Sequence, residues 1–184
     1  TTENRIVVNG LLGLTADVGE HKFKLTNIYI RDTLKDASIR EGIDARVTDT
    51  RLINRSRTNW FERQLLNTQL VGEMKFDNFR LNFRGSYANS QREAPYERSF
   101  TYVRTNLPTA QDPVGDKFVN DLGGNRGDAT IAFSDLNEDL WSGGVDLSYE
   151  LAPRITATVG YAYSDTSRTA VRRAFQFRGS NLPV

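Results

Sequence analysis

Few side chains in this sequence could do covalent or acid–base chemistry. Among its 184 residues there is one histidine, His21, and no cysteine. A Ser–His–Asp triad would therefore have to use His21, which sits beside the short Gly19-Glu20 connection with no nucleophile elbow in the chain. The absence of cysteine removes disulfide scaffolds, Cys-ligated zinc, iron–sulfur clusters and thiol nucleophiles. Asp135-Leu136-Asn137-Glu138-Asp139 opens like a calcium loop, D-x-N-x-D. Its glycine position is Leu140, however, and Asp146 stands where a bidentate glutamate is needed. A solvated loop end is the better reading. Gly123-Gly124-Asn125-Arg126-Gly127 lacks the Gly-Lys-Ser/Thr ending of a phosphate loop and reads as turn. Asn54-Arg55-Ser56 matches a glycosylation sequon, which reads as chance. The expectation is a protein with no catalysis, no cofactor and no resident metal.

What remains is recognition chemistry. Arg80, Asn82 and Arg84 alternate along one segment and could line a ligand path or contact another domain. Arg40, Arg46, Arg51, Arg55 and Arg57 fall in a first long polar stretch, and Arg168, Arg172, Arg173 and Arg178 near the end. Guanidinium groups bind phosphates by forked hydrogen bonds, so lipopolysaccharide is one candidate partner. The interspersed Glu41, Asp44 and Asp49 give equal weight to simple solvation. Tyr96, Phe100 and Tyr102 place aromatic rings in a second long stretch, a weak lean toward a sugar ligand. With 24 Lys+Arg against 23 Asp+Glu the net charge is only +1, against a nucleic-acid partner.

The elements that must position these groups are strands. Phe79, Leu81, Phe83, Gly85 and Tyr87 alternate with Arg80, Asn82, Arg84 and Ser86. Trp141 to Leu151 and Ile155 to Tyr163 repeat the period of two, joined through Ala152-Pro153-Arg154. Weaker alternation predicts strands over 66–76 and 12–18. The short Gly19-Glu20-His21 connection supports a sixth over 22–31. The expected fold is all-β: about six long antiparallel strands in three hairpins. Short turns at Gly19-Glu20, Asp77-Asn78 and Ala152-Pro153-Arg154 alternate with long loops, Asp32 to Thr58 and Gln91 to Asp139.

That alternation is how transmembrane barrels are built, with short turns at one rim and long loops at the other. No stretch is long and apolar enough for a membrane helix, but a barrel strand needs only every second residue apolar. Eight residues from Phe79 to Tyr87, at ~3.4 Å each and ~40° of tilt, rise ~21 Å. An outer-membrane barrel has an apolar band ~25 Å tall with aromatic girdles. Phe76, Phe79 and Tyr149 lie near the turns, and Trp60, Tyr87, Trp141, Tyr161 and Tyr163 toward the other ends. A soluble sandwich would pack the same apolar faces on a second sheet, but its strands run ~5–6 residues against the nine to eleven expected here.

Longer segments carry a resemblance. Trp60-Phe61-Glu62-Arg63-Gln64-Leu65, Thr68-Gln69-Leu70-Val71-Gly72-Glu73 and the run Arg84-Gly85-Ser86-Tyr87 through Pro95-Tyr96-Glu97 resemble TonB-dependent outer-membrane receptors. So do Ala132-Phe133-Ser134-Asp135 through Trp141 and Gly160-Tyr161-Ala162-Tyr163 through Arg168. Within that family the chain is most similar to receptors of Xanthomonas, Caulobacter and sphingomonad bacteria. The resemblance spans roughly Leu11 to Phe177.

The resemblance implies that residues 1–184 are a middle part of a roughly 22-stranded barrel with a plugged lumen. Signal peptide, plug domain and C-terminal strands would lie elsewhere in the receptor, because six strands alone leave open edges in lipid. It implies uptake of a scarce ligand, an oligosaccharide or an iron chelate, across the outer membrane of a Gram-negative cell. It also implies the TonB complex as partner through the plug, contact with lipid and lipopolysaccharide, and room for a surface lipoprotein. On it, Arg80, Asn82 and Arg84 would face the lumen or plug, and Tyr96, Phe100 and Tyr102 an extracellular ligand. Two alternatives from other classes stay open: a small stand-alone outer-membrane barrel or adhesin, and a soluble carbohydrate-binding β-sandwich.

Overall fold

The computed structural model describes residues 1–43, 52–104, 118–120, 122 and 129–179. They form seven antiparallel strands: β1 (Thr2–Val18), β2 (His21–Ile43), β3 (Leu52–Phe76), β4 (Phe79–Arg104), β5 (Phe118–Asn120), β6 (Ala129–Ala152) and β7 (Ile155–Phe177). All belong to one sheet in the order β1-β2-β3-β4-β6-β7, with the short β5 on the end of β4. β1 and β7 are its two edges, so the sheet is open. The expected all-β antiparallel class is what the chain adopts. The six expected strands are present, joined by the three expected tight turns.

Strand length departs from expectation. The long strands run 17 to 26 residues, and most of the two predicted loops is strand. β2 and β3 stay paired out to Ile43↔Leu52, and β4 and β6 out to Phe100↔Ala129. Tyr96, Phe100 and Tyr102 are therefore on β4, not in a loop. Arg40 lies on β2, Arg55 and Arg57 on β3, and Arg168, Arg172 and Arg173 on β7. Period-two hydrophobicity marks a strand only where one face meets an apolar medium. These outer halves mix polar and apolar side chains on both faces, and backbone ladders hold them. Arg46, Arg51, Pro108, Pro113 and the Gly123–Gly127 cluster lie outside the described residues.

One irregularity explains the missing pattern. The β3–β4 register shifts between Trp60 and Glu62, and the β4–β6 register between Ala94 and Glu97. Both shifts place one extra residue in β4, around Ala94-Pro95-Tyr96. Proline has no N–H for the ladder, and in an interior strand a bulge is where it is tolerated. The bulge swaps faces: Glu93 pairs with Glu62, but Tyr96 pairs with Trp60. Below it the odd-numbered residues of β4 share the apolar face, and above it the even-numbered ones do.

The turns have distinct chemistry. Gly19 has φ 63° and Asp77 φ 41°, each first in a two-residue connection, the position that needs positive φ in a type II′ hairpin. Pro153-Arg154 is different: proline leads, and Arg154 takes φ 75°, as in a type II turn.

There is no second layer among the described residues. The buried hydrophobic side chains are only Ala94, Ala129 and Ala132, while Leu151, Val159 and Tyr161 are 63%, 67% and 68% exposed. A sandwich core is absent from this part of the chain.

Candidate functional site on the polar face

Directly paired residues point to the same side of a sheet, so the registers sort every side chain by face. On the apolar face, Leu81, Phe83 and Tyr87 of β4 continue into Leu147, Val145 and Trp141 of β6, then Val159 and Tyr161 of β7. Within this band the polar side chains of Asn27 and Thr68 satisfy each other by an Nδ2–H···Oγ1 bond of 2.8 Å.

The band is slanted relative to the ladder. Asp17, Lys22, Glu73, Asn82, Asp146 and Gly160 form one row across the sheet. From that row the apolar face continues eleven residues to Ile6 on β1, seven to Tyr29 on β2 and seven to Leu66 on β3. It continues five to Tyr87 on β4, five to Trp141 on β6 and three to Tyr163 on β7. The next residues on that face are Asn4, Arg31, Gln64, Asn89, Asp139 and Asp165, all polar. The tight turns step in the same direction, by about two residues per hairpin. Taking ~3.4 Å per residue and ~4.8 Å between strands, the upper boundary gives a tilt of ~50° and the turns ~35°. Both edges of the band thus slant together, leaving a stripe of nearly constant height.

The polar face carries Arg80, Asn82 and Arg84 together, as their spacing requires. Arg84 Nη1 donates to Asp146 Oδ2 at 2.5 Å, with side chains 50% and 34% exposed. Arg80 Nε lies 3.8 Å from Glu73 Oε1, which Lys75 Nζ approaches at 3.1 Å. Two glycines make room for the Arg84 pair. A Cβ at Gly144 would stand 2.9 Å from the guanidinium, and one at Gly160 would collide with the Asp146 carboxylate. Beside it Ser86 and Ser142 share a 2.7 Å hydrogen bond. A groove of about 400 Å³ runs past Gln69, Arg84, Ser86, Ser142 and Ser164. This is a hydrogen-bonding wall suited to a polar solute.

His21 is elsewhere. On the apolar face at the turn, its Nδ1 accepts from the Lys75 backbone N–H at 3.2 Å and its ring packs 4.9 Å from Phe76. It meets none of these serines. Asp135, Asn137 and Asp139 lie within β6, not in a loop. Asn137 Nδ2 donates to Asp139 Oδ2 at 3.2 Å, and Asp139 Oδ1 accepts from Tyr87 and Asn89 at 2.7 and 2.8 Å. The Tyr87 hydroxyl, then the Asn89 and Asn137 amides, hold the Asp139 carboxyl below the usual carboxylate range. On the polar face, the paired Arg5 guanidinium holds Asp32 down in the same way.

Tyr96, Phe100 and Tyr102 fall together on the apolar face, above the bulge. Phe100 and Tyr102 stack at 6.5 Å, and Arg98 lies 4.2 Å over the Phe100 ring. They are thus on the opposite side from Arg80 and Arg84. The upper polar face brings Arg57 and Arg172, which the sequence offered equally to lipopolysaccharide phosphate or to simple solvation in loops, together with Glu97. Their convergence depends on the bulge, and only the lone Pro95 in an otherwise strand-compatible run hinted at it.

No family model and no curated protein matches this chain.

Proposed function

We propose that this chain is a section of the wall of a large outer-membrane β-barrel, of the TonB-dependent receptor type, that takes up a scarce small ligand. The observation that carries the reading is the slanted apolar band. A horizontal lipid layer crosses tilted strands diagonally, so in a barrel the apolar stripe must step along the ladder from strand to strand. The tilts of ~50° and ~35° bracket the 35–45° of membrane barrels. The stripe is rimmed by Trp141, Tyr87, Tyr161 and Tyr163 above and by Phe76, Phe79 and Tyr149 below, as interfacial aromatics require. It has no protein cover among the described residues.

On this reading the polar face lines the lumen. Arg80, Asn82 and Arg84 face the ligand path or plug, and the open edges β1 and β7 pair with neighbouring strands of the same barrel. Strand halves beyond the band stand in water above the membrane. Tyr96, Phe100 and Tyr102, on the lipid side of that extension, contact the surface layer of the membrane; they do not line the lumen. TonB-coupled plug movement would supply the work of transport.

The test is an outer-membrane fraction of the native source, run unboiled and boiled on a denaturing gel, with this sequence located by peptide mass mapping. The expected result is a heat-shifting band several times larger than 20.8 kDa. A heat-shifting band near that mass would instead mean a small complete barrel. A soluble band without a shift would overturn the membrane reading.

A further inference from the structure

The polar face above the bulge forms a second, separate groove of about 290 Å³, lined by Arg57, Asn59, Phe61, Glu97, Ser99 and Arg172. Two rows of the sheet build it: Asn59, Glu97, Ala132 and Ala174, then Arg57, Ser99, Thr130 and Gln176. The floor is low because Ala132, 1% exposed, sits where longer side chains would fill the space. Arg172 leans over it, its Nη2 3.2 Å from Glu97 Oε2. Across the groove, Arg57 is in no ion pair with another described residue, and the nearby Asp36 accepts from the Asn59 amide at 3.0 Å. Arg92 adds a guanidinium stacked 5.3 Å from Phe61.

A second observation points the same way. Arg55 Nε, Thr101 Oγ1 and Ser134 Oγ are buried without a hydrogen-bond partner. The registers place all three on this face, and Arg55 directly opposite Thr101. Thr101 is only 4% exposed. Buried polar groups left unpaired in a protein wall are groups prepared for something else to bond.

We infer that this groove is a binding site for a small anionic ligand, one bearing several carboxylates or a phosphate, held by Arg57 and Arg172. Three guanidinium groups, of Arg57, Arg92 and Arg172, stand against two carboxylates, Glu97 and Asp36, so the local field favours anions over neutral sugars. Glu97 sets Arg172 in place by pairing with it, and Phe61 offers an apolar wall for the ligand's carbon frame. The inference rests on the receptor reading in taking the polar face as the lumen.

Calorimetric titration of the full-length protein in detergent tests it, with citrate, inorganic phosphate and maltotriose as probes. Citrate or phosphate is expected to bind with Kd of about 1 mM or tighter, weakening as salt rises, while maltotriose does not. Which anion wins distinguishes a carboxylate from a phosphate ligand. Arg57→Gln with Arg172→Gln should weaken binding at least ~10-fold, and Arg57→Lys with Arg172→Lys by less. Arg173→Gln, one residue along but on the other face, should leave it within about twofold, because that side chain points away from the groove. If the double variant loses its heat shift on the gel, the single Arg57→Gln variant is read in its place. Maltotriose binding without anion binding, or unchanged affinity in the arginine variants, overturns the inference. A preparation that keeps the large heat-shifting band yet binds no anion sinks this site alone and leaves the receptor reading standing.

Discussion

Tyr87 donates its phenolic hydrogen bond to Asp139 Oδ1 at 2.7 Å, across two strands, where the apolar face gives way to polar side chains. The ring packs on Trp141 at 4.5 Å while the hydroxyl turns to the carboxylate. One residue thus joins the apolar band to the polar side chains beyond it, its ring on one side and its hydroxyl on the other.

That pair has a pH signature. Asp139 is held below its ordinary value, chiefly by the Tyr87 hydroxyl. Its contribution to stability is complete above the unfolded value near ~3.9 and is lost as pH falls through the lower folded value. Melting temperatures of the wild type and Asp139→Asn in detergent should differ most at pH 5–7, and the difference should begin to narrow as pH falls below about 4. A gap that stays constant to pH 3 would show that the carboxylate charge is irrelevant.

Gly72 and Phe83 face each other in the β3–β4 ladder, and the ring fills the space a side chain would need. Gly72→Ala should cost about 1–3 kcal/mol by overpacking. Adding Phe83→Leu should recover much of that loss. Urea titration of protein refolded into vesicles measures both, and a neutral Gly72→Ala would contradict the packing.

Arg154 holds φ 75° after Pro153, a conformation that costs a non-glycine residue on the order of 1 kcal/mol. Arg154→Gly should therefore stabilise the protein by ~0.5–1 kcal/mol despite its greater chain entropy. Gly19→Ala, at φ 63°, should do the reverse. Matching thermal unfolding curves for all three proteins would refute the turn assignment.

The chain has no cysteine, so labelling of introduced cysteines has no background. Val159→Cys should react with a lipid-soluble maleimide and resist a charged one, while Thr158→Cys should do the opposite. Above the bulge, Tyr96→Cys and Glu97→Cys report whether the faces have swapped relative to Glu93→Cys. Equal reactivity at Val159 and Thr158 would remove the lipid from the argument.

Much was legible before any coordinates. Phe79 to Tyr87 and Trp141 to Tyr163 announce their strands because one face is apolar and the other polar, and on a strand that difference is written into sequence as a period of two. Gly19, Asp77 and Pro153 mark the turns because few residues tolerate those dihedrals. The grouping of Arg80, Asn82 and Arg84 follows from the same period.

The strand halves beyond Tyr29, Leu66 and Tyr87 carry no such record. They mix polar and apolar side chains on both faces, and backbone hydrogen bonds, which are blind to side-chain type, hold them together. Only the tertiary structure therefore decided that Tyr96, Phe100 and Tyr102 belong to β4. A single extra residue near Pro95 decided that they share a face with Phe83 and not with Arg84. Register between strands distant in sequence likewise decided the slant of the apolar band and the meeting of Arg57 with Arg172, because pairing is a non-local property that no single segment encodes.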